Sequence, residues 1–214
     1  MAEIDHIVIG ARTLEEGADY IEAQLGVRPT PGGSHPGIGT HNLLLGLGPE
    51  RYLEVIATDP GQPAPPHPRP FDLDDAGVAM MLEAGPHLLA WVARTPVLDA
   101  VAARLGAGQA GEVRDWSRGD LKWRMAFPPQ NQDMRNLIPP LIQWDDGKGA
   151  APRLKDSGCR LLALEAEHPD ADRLRQALGQ RGLEDALKLR RSGHPRLVAR
   201  IGRPDGTEVA LSSG

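Results

Sequence analysis

A strand, a helix of a few turns and then further strand-like segments recur three times along this chain, and that recurrence limits the possible folds more than any single motif. The strand at 5–10 precedes a helical pattern at 14–25, that at 88–93 precedes 97–105, and that at 161–166 precedes 171–178. A β-α-β-β-β unit can curl its strands into a cupped half-barrel, and two such cups enclose a ligand cavity. The expected fold class is therefore α+β: paired βαβββ modules forming a cupped mixed sheet, with a third βαβββ-like module at the C-terminus.

Local signals set the boundaries. Thr13 with Glu16 three residues on has the spacing of a capping box, Leu14, Ala18, Ile21 and Leu25 share one helical face, and Gly26 is placed to stop the helix. A short strand at 27–30 leads into 31–39, a run rich enough in Gly and Pro to predict a loop. Strands at 41–46 and 52–56 complete the first module, about 4–57. A Pro-rich crossover, 58–86, excludes a helix interior over 59–70 and carries a short helix capped by Asp72 or Asp74. The second module, about 87–145, has later strands at 112–116, 121–127 and 137–144, with a turn at 117–120. The polar stretch 145–157 separates a first domain, 1–146, from a third module at 158–214, where Asp205-Gly206 marks a hairpin.

Composition narrows the function classes. With 214 residues, 40% hydrophobic and 25% charged, the chain can bury a sizeable core. It has no apolar stretch long enough to span a bilayer and no secretory signature in residues 1–10, so the expectation is a cytoplasmic protein without a membrane partner. A single cysteine, Cys159, agrees with a reducing compartment and reads as a small buried residue. A formal charge of −5, with arginines scattered rather than interleaved with aromatics, argues against nucleic acid.

Four runs carry a resemblance: Asp5-His6-Ile7-Val8-Ile9, the Gly-Gly-x-His-Pro-Gly-x-Gly-Thr-His-Asn run at 32–42, Tyr52-Leu53-Glu54-Val55-Ile56, and Ile142-Gln143-Trp144-Asp145-Asp146. Over about 4–146 the sequence resembles the glyoxalase-like domain proteins of the vicinal oxygen chelate superfamily. That resemblance implies a concave face that binds a divalent metal ion, with two adjacent substrate oxygens held on the metal. It names no substrate, since the superfamily includes isomerases, lyases, dioxygenases, epimerases and transferases.

The resemblance places the metal ligands on the first and last strands of each module: His6, Glu54 and Gln143, with His87 as the candidate fourth. Aligning Ala11-Arg12-Thr13 with Ala93-Arg94-Thr95 puts Leu88, not His87, opposite His6, so His87 points into the cup only if a bulge corrects the offset. The set is all N and O donors, suiting Zn, Ni, Mn or Fe. Glu54 is also the candidate catalytic base beside a metal-held carbonyl. His35, His41, Trp91, Trp123 and Trp144 are candidate substrate contacts.

Each has a plainer reading: His6 as a core histidine, Glu54 as a solvent-facing strand residue, the tryptophans as core, and His35 and His41 as loop-fixing groups. Three functions follow as expectations. The first is a metal-dependent lyase or isomerase acting on a small molecule with vicinal oxygens. The second is a metal-free small-molecule-binding protein. The third is an assembly role, in which the unpaired third module joins a second copy in a homodimer.

Overall fold

A computed structural model of the chain describes residues 1–129, 134 and 136–213. The first module runs β1 (Glu3–Gly10), α1 (Leu14–Leu25), β2 (Thr30–His35), β3 (Thr40–Gly46), β4 (Tyr52–Thr58). Thr13 caps α1 as its spacing predicts, its hydroxyl accepting from the Glu16 amide at 3.2 Å, and Gly26 ends the helix in the left-handed region at φ 74°. The crossover carries α2 (Ala76–Glu83). Its cap is Asp75, which accepts from the amides of Gly77 and Val78, rather than Asp72 or Asp74. The second module runs β5 (His87–Arg94), α3 (Leu98–Leu105), the short α4 (Ala107–Ala110), β6 (Val113–Arg118), β7 (Leu121–Ala126) and β8 (Leu141–Trp144).

The two modules share one eight-stranded sheet in the order β2-β3-β4-β1-β5-β8-β7-β6. At its centre β1 and β5 run antiparallel, and each pairs in parallel with the last strand of its own module. The edge strands curl towards each other until a Cβ on Gly33 would lie 3.1 Å from the Arg118 side chain, so the cup is nearly closed.

One expectation changes here. The run predicted as a loop over 31–39 supplies most of β2 before turning at 36–39. An edge strand tolerates Pro31 because one side of its ladder goes unpaired, and a register shift between Pro31 and Gly33 absorbs the irregular backbone. The glycines are needed: a Cβ on Gly32 would stand 2.1 Å from the Asn42 amide oxygen, and Gly33 has φ 131°.

The third unit keeps the expected element order, β9 (Arg160–His168), α5 (Ala171–Gly179), β10 (Lys188–Arg191), β11 (Arg196–Gly202), β12 (Glu208–Ser212), but not the strand order of the cups. Its sheet is β10-β9-β11-β12, so its first strand pairs in parallel with its second strand instead of its last. Its apolar face does not wait for another chain. Leu164, Leu174, Leu178, Leu197 and Ile201 join Ile7, Ile9, Leu88 and Trp91 in one continuous core on the outer side of the eight-stranded sheet. Cys159 is fully buried in the same core.

Polar links fasten this unit. Arg181, only 2% exposed, donates to the carbonyls of Ala177 at 2.9 Å and Gln109 at 2.8 Å. Burial lowers its pKa to about 10, still charged at neutral pH. Arg104 donates to the Gln180 carbonyl at 2.7 Å, and Arg203 to that of Gln24 at 2.6 Å. A second apolar cluster, with Val8, Tyr52, Ile56, Val92, Trp123 and Trp144, fills the inside of the cup. Among the described residues no helix is long and apolar enough to cross a membrane.

Removing the third unit would expose the outer face of β5. We expect a chain truncated after Trp144 to lose cooperative urea unfolding and to bind the dye ANS strongly. A truncated chain that unfolds in one sharp transition would show instead that the two cups are stable alone.

Candidate functional site

The inner floor of the cup begins with a bulge. In the β1–β5 register Ile4 faces Ala93 and His6 faces Val92, so Asp5 is an extra residue with no partner. Successive strand residues normally point to opposite faces, and the bulge lets Asp5 and His6 contact each other on the same side. His6 Nδ1 is 2.6 Å from Asp5 Oδ1 and His6 Nε2 is 3.5 Å from Glu54 Oε2. The imidazole stacks on Tyr52, two residues before Glu54 on β4, with ring centroids 4.5 Å apart.

The chain of contacts continues in both directions. The Trp144 indole N–H donates to Asp5 Oδ2 at 2.9 Å. Asn42 Nδ2 donates to Glu54 Oε1 at 2.6 Å, and Arg118 donates to Asn42 Oδ1 at 2.9 Å. His35 places Nδ1 2.9 Å from Thr40 Oγ1 and Nε2 3.3 Å from Asn42 Nδ2. Side chains from β1, β2, β3, β4, β6 and β8 thus form one polar network across both modules.

Burial works against charge on His6, yet the hydrogen bonds and charges of Asp5 and Glu54 outweigh it and raise its pKa to about 9. Burial likewise opposes ionisation of Glu54, and His6 first, then His35 and Asn42, pull it down to about 2. At neutral pH a protonated His6 therefore faces an ionised Glu54. His35 is lowered, chiefly by burial, with the Arg118 charge adding to the effect, so it is neutral there. Burial, then the charges of Asp5 and Glu54, hold the Tyr52 hydroxyl well above its usual range.

The symmetry of the central strand pair locates the counterpart positions in the second module. Exchanging β1 and β5 turns the pair Ile4–Ala93 into Leu88–Ile9, His6–Val92 into Ala90–Val8, and returns Ile7–Trp91 to itself. Ala90 therefore stands where the first module has His6. On the flanking strands, Val55 opposite Ile9 matches Leu141 opposite Ala93, which sets Pro140 in the place of Glu54. Neither Ala90 nor Pro140 carries a side-chain donor atom for a metal.

The other expected ligands lie elsewhere. Gln143 points away from the cup, accepting from the Leu98 amide at the start of α3 at 3.0 Å and from Arg124 at 3.3 Å. Alternation explains this, because Ile142 and Trp144 on either side belong to the inner cluster. His87 opens β5 opposite Gly10, four residues along β1 from His6 and so about 13 Å away at strand spacing. A bulge does occur in β5, at Leu89, but it does not bring His87 to His6. Among the described residues no three His, Cys, Asp or Glu side chains gather as a metal-holding group. His6 and Glu54 face one another at 3.5 Å, and with Gln143 turned away and His87 distant the described donor set does not fit the expected four-ligand chelate.

Two chambers with a shared wall occupy the cup. The inner one, about 50 Å³, is lined by His6, Glu54, Asn42, His35, Arg118, Trp123 and Trp144 among others. The outer one, about 290 Å³, lies beside Ala90, Ile138 and Pro140 and is roofed by crossover residues 65–72. Pro70, Phe71, Trp116 and Phe127 line both. Phe71 meets Phe127 edge-on at 5.6 Å and Trp116 lies 5.8 Å from Phe127, forming an aromatic partition. Phe71 and Asp72 both have φ 58°.

Of the expected substrate contacts, His35, Trp123 and Trp144 line the inner chamber. Trp91 lies on the opposite face of the sheet, fully buried, with its indole N–H donated to the Leu137 carbonyl at 3.0 Å. His41, on the face opposite Asn42, lines neither chamber and stands 3.9 Å from Asp59. Sequence reasoning missed Asp5, Asn42, Tyr52, Trp116 and Arg118. For Tyr52 the signal was present, since it shares a strand face with Glu54.

No curated protein matches this sequence. Among solved structures, a hypothetical protein from Staphylococcus aureus is similar over 100% of this chain and 87% of its own, at 16% identity and TM-score 0.57, which supports the fold alone. Methylmalonyl-CoA epimerase from Streptomyces coelicolor, in complex with 2-nitronate-propionyl-CoA, matches 66% of this chain and 96% of its own at 18% identity and TM-score 0.45. The enzyme of the same name from Mycobacterium tuberculosis matches 66% and 86% at 18% identity and TM-score 0.39. A family model for the Glyoxalase-like domain matches residues 4–182, and the chain belongs to that family.

Proposed function

We propose that this protein binds a small molecule in the two-chambered cup without a metal ion, with the His6–Glu54 pair as the polar floor of the site. The observation that carries this reading is the pairing of Ala90 and Pro140, in the places of His6 and Glu54, with the outer chamber of about 290 Å³ beside them. Where a chelate needs donors the chain has apolar surface and space, and a volume of that order suits a small ligand.

A metal-dependent lyase or isomerase would need ligands beyond His6 and Glu54, and Gln143 and His87 are not positioned to supply them. Glu54 is also a weak candidate for a general base. A catalytic base works best with a pKa near the working pH, and Glu54 is held at about 2. The pair instead stabilises a polar floor in an otherwise apolar cup, since two buried charges facing each other avoid the cost of either alone.

Two measurements test this reading. Purified without chelator, and again after incubation with excess Zn, Ni, Mn or Fe and mild dialysis, the protein is expected to hold no stoichiometric divalent ion by mass spectrometry, and to bind the neutral probe 4-phenylbutan-1-ol in calorimetry. About one Zn, Ni, Mn or Fe ion per chain, lost in His6→Ala and Glu54→Ala, would overturn it.

The second concerns proton linkage. His6 moves from 6.5 to about 9 on folding, so its contribution is complete below pH 6.5 and is lost as pH rises through 9. Glu54 moves from 4.5 to about 2, so its contribution is complete above pH 4.5 and is lost as pH falls through 2. Both are complete between pH 4.5 and 6.5. Urea unfolding of the wild type and His6→Gln should therefore show a stability gap that is widest near pH 5.5 and narrows by pH 9.5. A gap that stays constant or grows would contradict a charged His6–Glu54 pair.

A further inference from the structure

Two hydrogen-bond donors near the aromatic partition lack the partners their chemistry calls for. Trp116 and Arg118 sit two residues apart on β6, hence on one face of that strand, and both line the inner chamber. The indole N–H of Trp116 has no acceptor among the described residues, yet it is closed off from any water-sized group and so lies out of a ligand's reach as well. Arg118 touches only neutral groups, Asn42 Oδ1 at 2.9 Å and His35 Nε2 at 3.4 Å. None of the described carboxylates pairs with it, whereas Arg69, Arg94, Arg114, Arg124 and Arg153 all have such partners.

We propose that the inner chamber takes the carboxylate head of an amphiphilic monocarboxylate, received by Arg118, while its apolar body fills the outer chamber. This rests on the small-molecule reading above and specifies the ligand class of the same site. One guanidinium matches the single charge and two oxygens of a carboxylate. The chamber of about 50 Å³ has space for roughly three to five water-sized groups at ~10–15 Å³ each, the size of such a head. A phosphate dianion would bring a second negative charge next to Glu54, and the His6 cation there already faces both Asp5 and Glu54. Only the rings of the shared wall separate the chambers, so a ligand with its head among the polar groups reaches the outer space by parting Trp116 from Phe127. No bond is made or broken in this step.

The test is calorimetric titration of the full chain, in EDTA, with 4-phenylbutyrate and 4-phenylbutan-1-ol, and of its Arg118→Gln variant. We expect the acid to bind tighter than the alcohol by about 10- to 100-fold, the worth of a charge-assisted hydrogen bond. Arg118→Gln, shown to be folded by its far-ultraviolet circular dichroism and its urea transition, should bring the ratio of acid to alcohol affinity close to one. Equal binding of acid and alcohol by the wild type would overturn the carboxylate assignment and leave the small-molecule reading standing. Binding of neither would overturn both. A preference that survives Arg118→Gln, or tighter binding of 4-phenylbutyl phosphate than of the acid, would also overturn the assignment.

Discussion

The cup is organised around a histidine held between two carboxylates. His6 lies in the central strand of an eight-stranded sheet, nearly shut off from solvent, with Asp5 on one ring nitrogen and Glu54 at the other. Neither side chain could be buried there alone at acceptable cost, and the pairing removes most of the penalty. The bulge that doubles Asp5 back to His6, the stacking of Tyr52 and the indole of Trp144 on Asp5 all serve that arrangement. Trp144 in turn depends on Gly149, where a Cβ would lie 2.5 Å from its indole nitrogen. The floor of the cavity is thus a single connected unit drawing on both modules.

The two modules share a backbone plan and differ in chemistry. Equivalent register positions carry His6 and Ala90, or Glu54 and Pro140, so the donor atoms of the first module have apolar side chains at the matching places of the second. A symmetric cup with four donors would concentrate charge at its centre. This one separates it, and a ligand entering the cup meets a gradient from apolar walls to a hydrogen-bonded end.

Much of this was legible in the sequence, for identifiable reasons. The alternating strands, the Thr13 cap and the Gly26 stop are local signals, and they produced the three units in the right order. His6 and Glu54 came from the resemblance, and strand alternation was compatible with both facing inward. Gln143 failed because a strand of four residues can be read in either phase until its partner fixes it, and Arg124 opposite it faces α3. Trp91 failed for the same reason, aromatic residues being equally at home on either side of a sheet with two buried faces. Arg118 and Asn42 were invisible because their meeting depends on the curl of the sheet bringing β2 near β6, a contact between positions 76 residues apart. The strand order of the third unit was hidden too, since the same element sequence fits more than one pairing.

The crossover that roofs the cavity ends in two consecutive left-handed residues, Phe71 and Asp72. Such conformations cost non-glycine residues about 1 kcal/mol or more each, and a bulky aromatic is among the least tolerant. The packing of Phe71 edge-on to Phe127 offsets that cost. One side chain thus both sets the strain of the roof and lines both chambers, so the shape of the cavity and the conformation of the crossover cannot change independently.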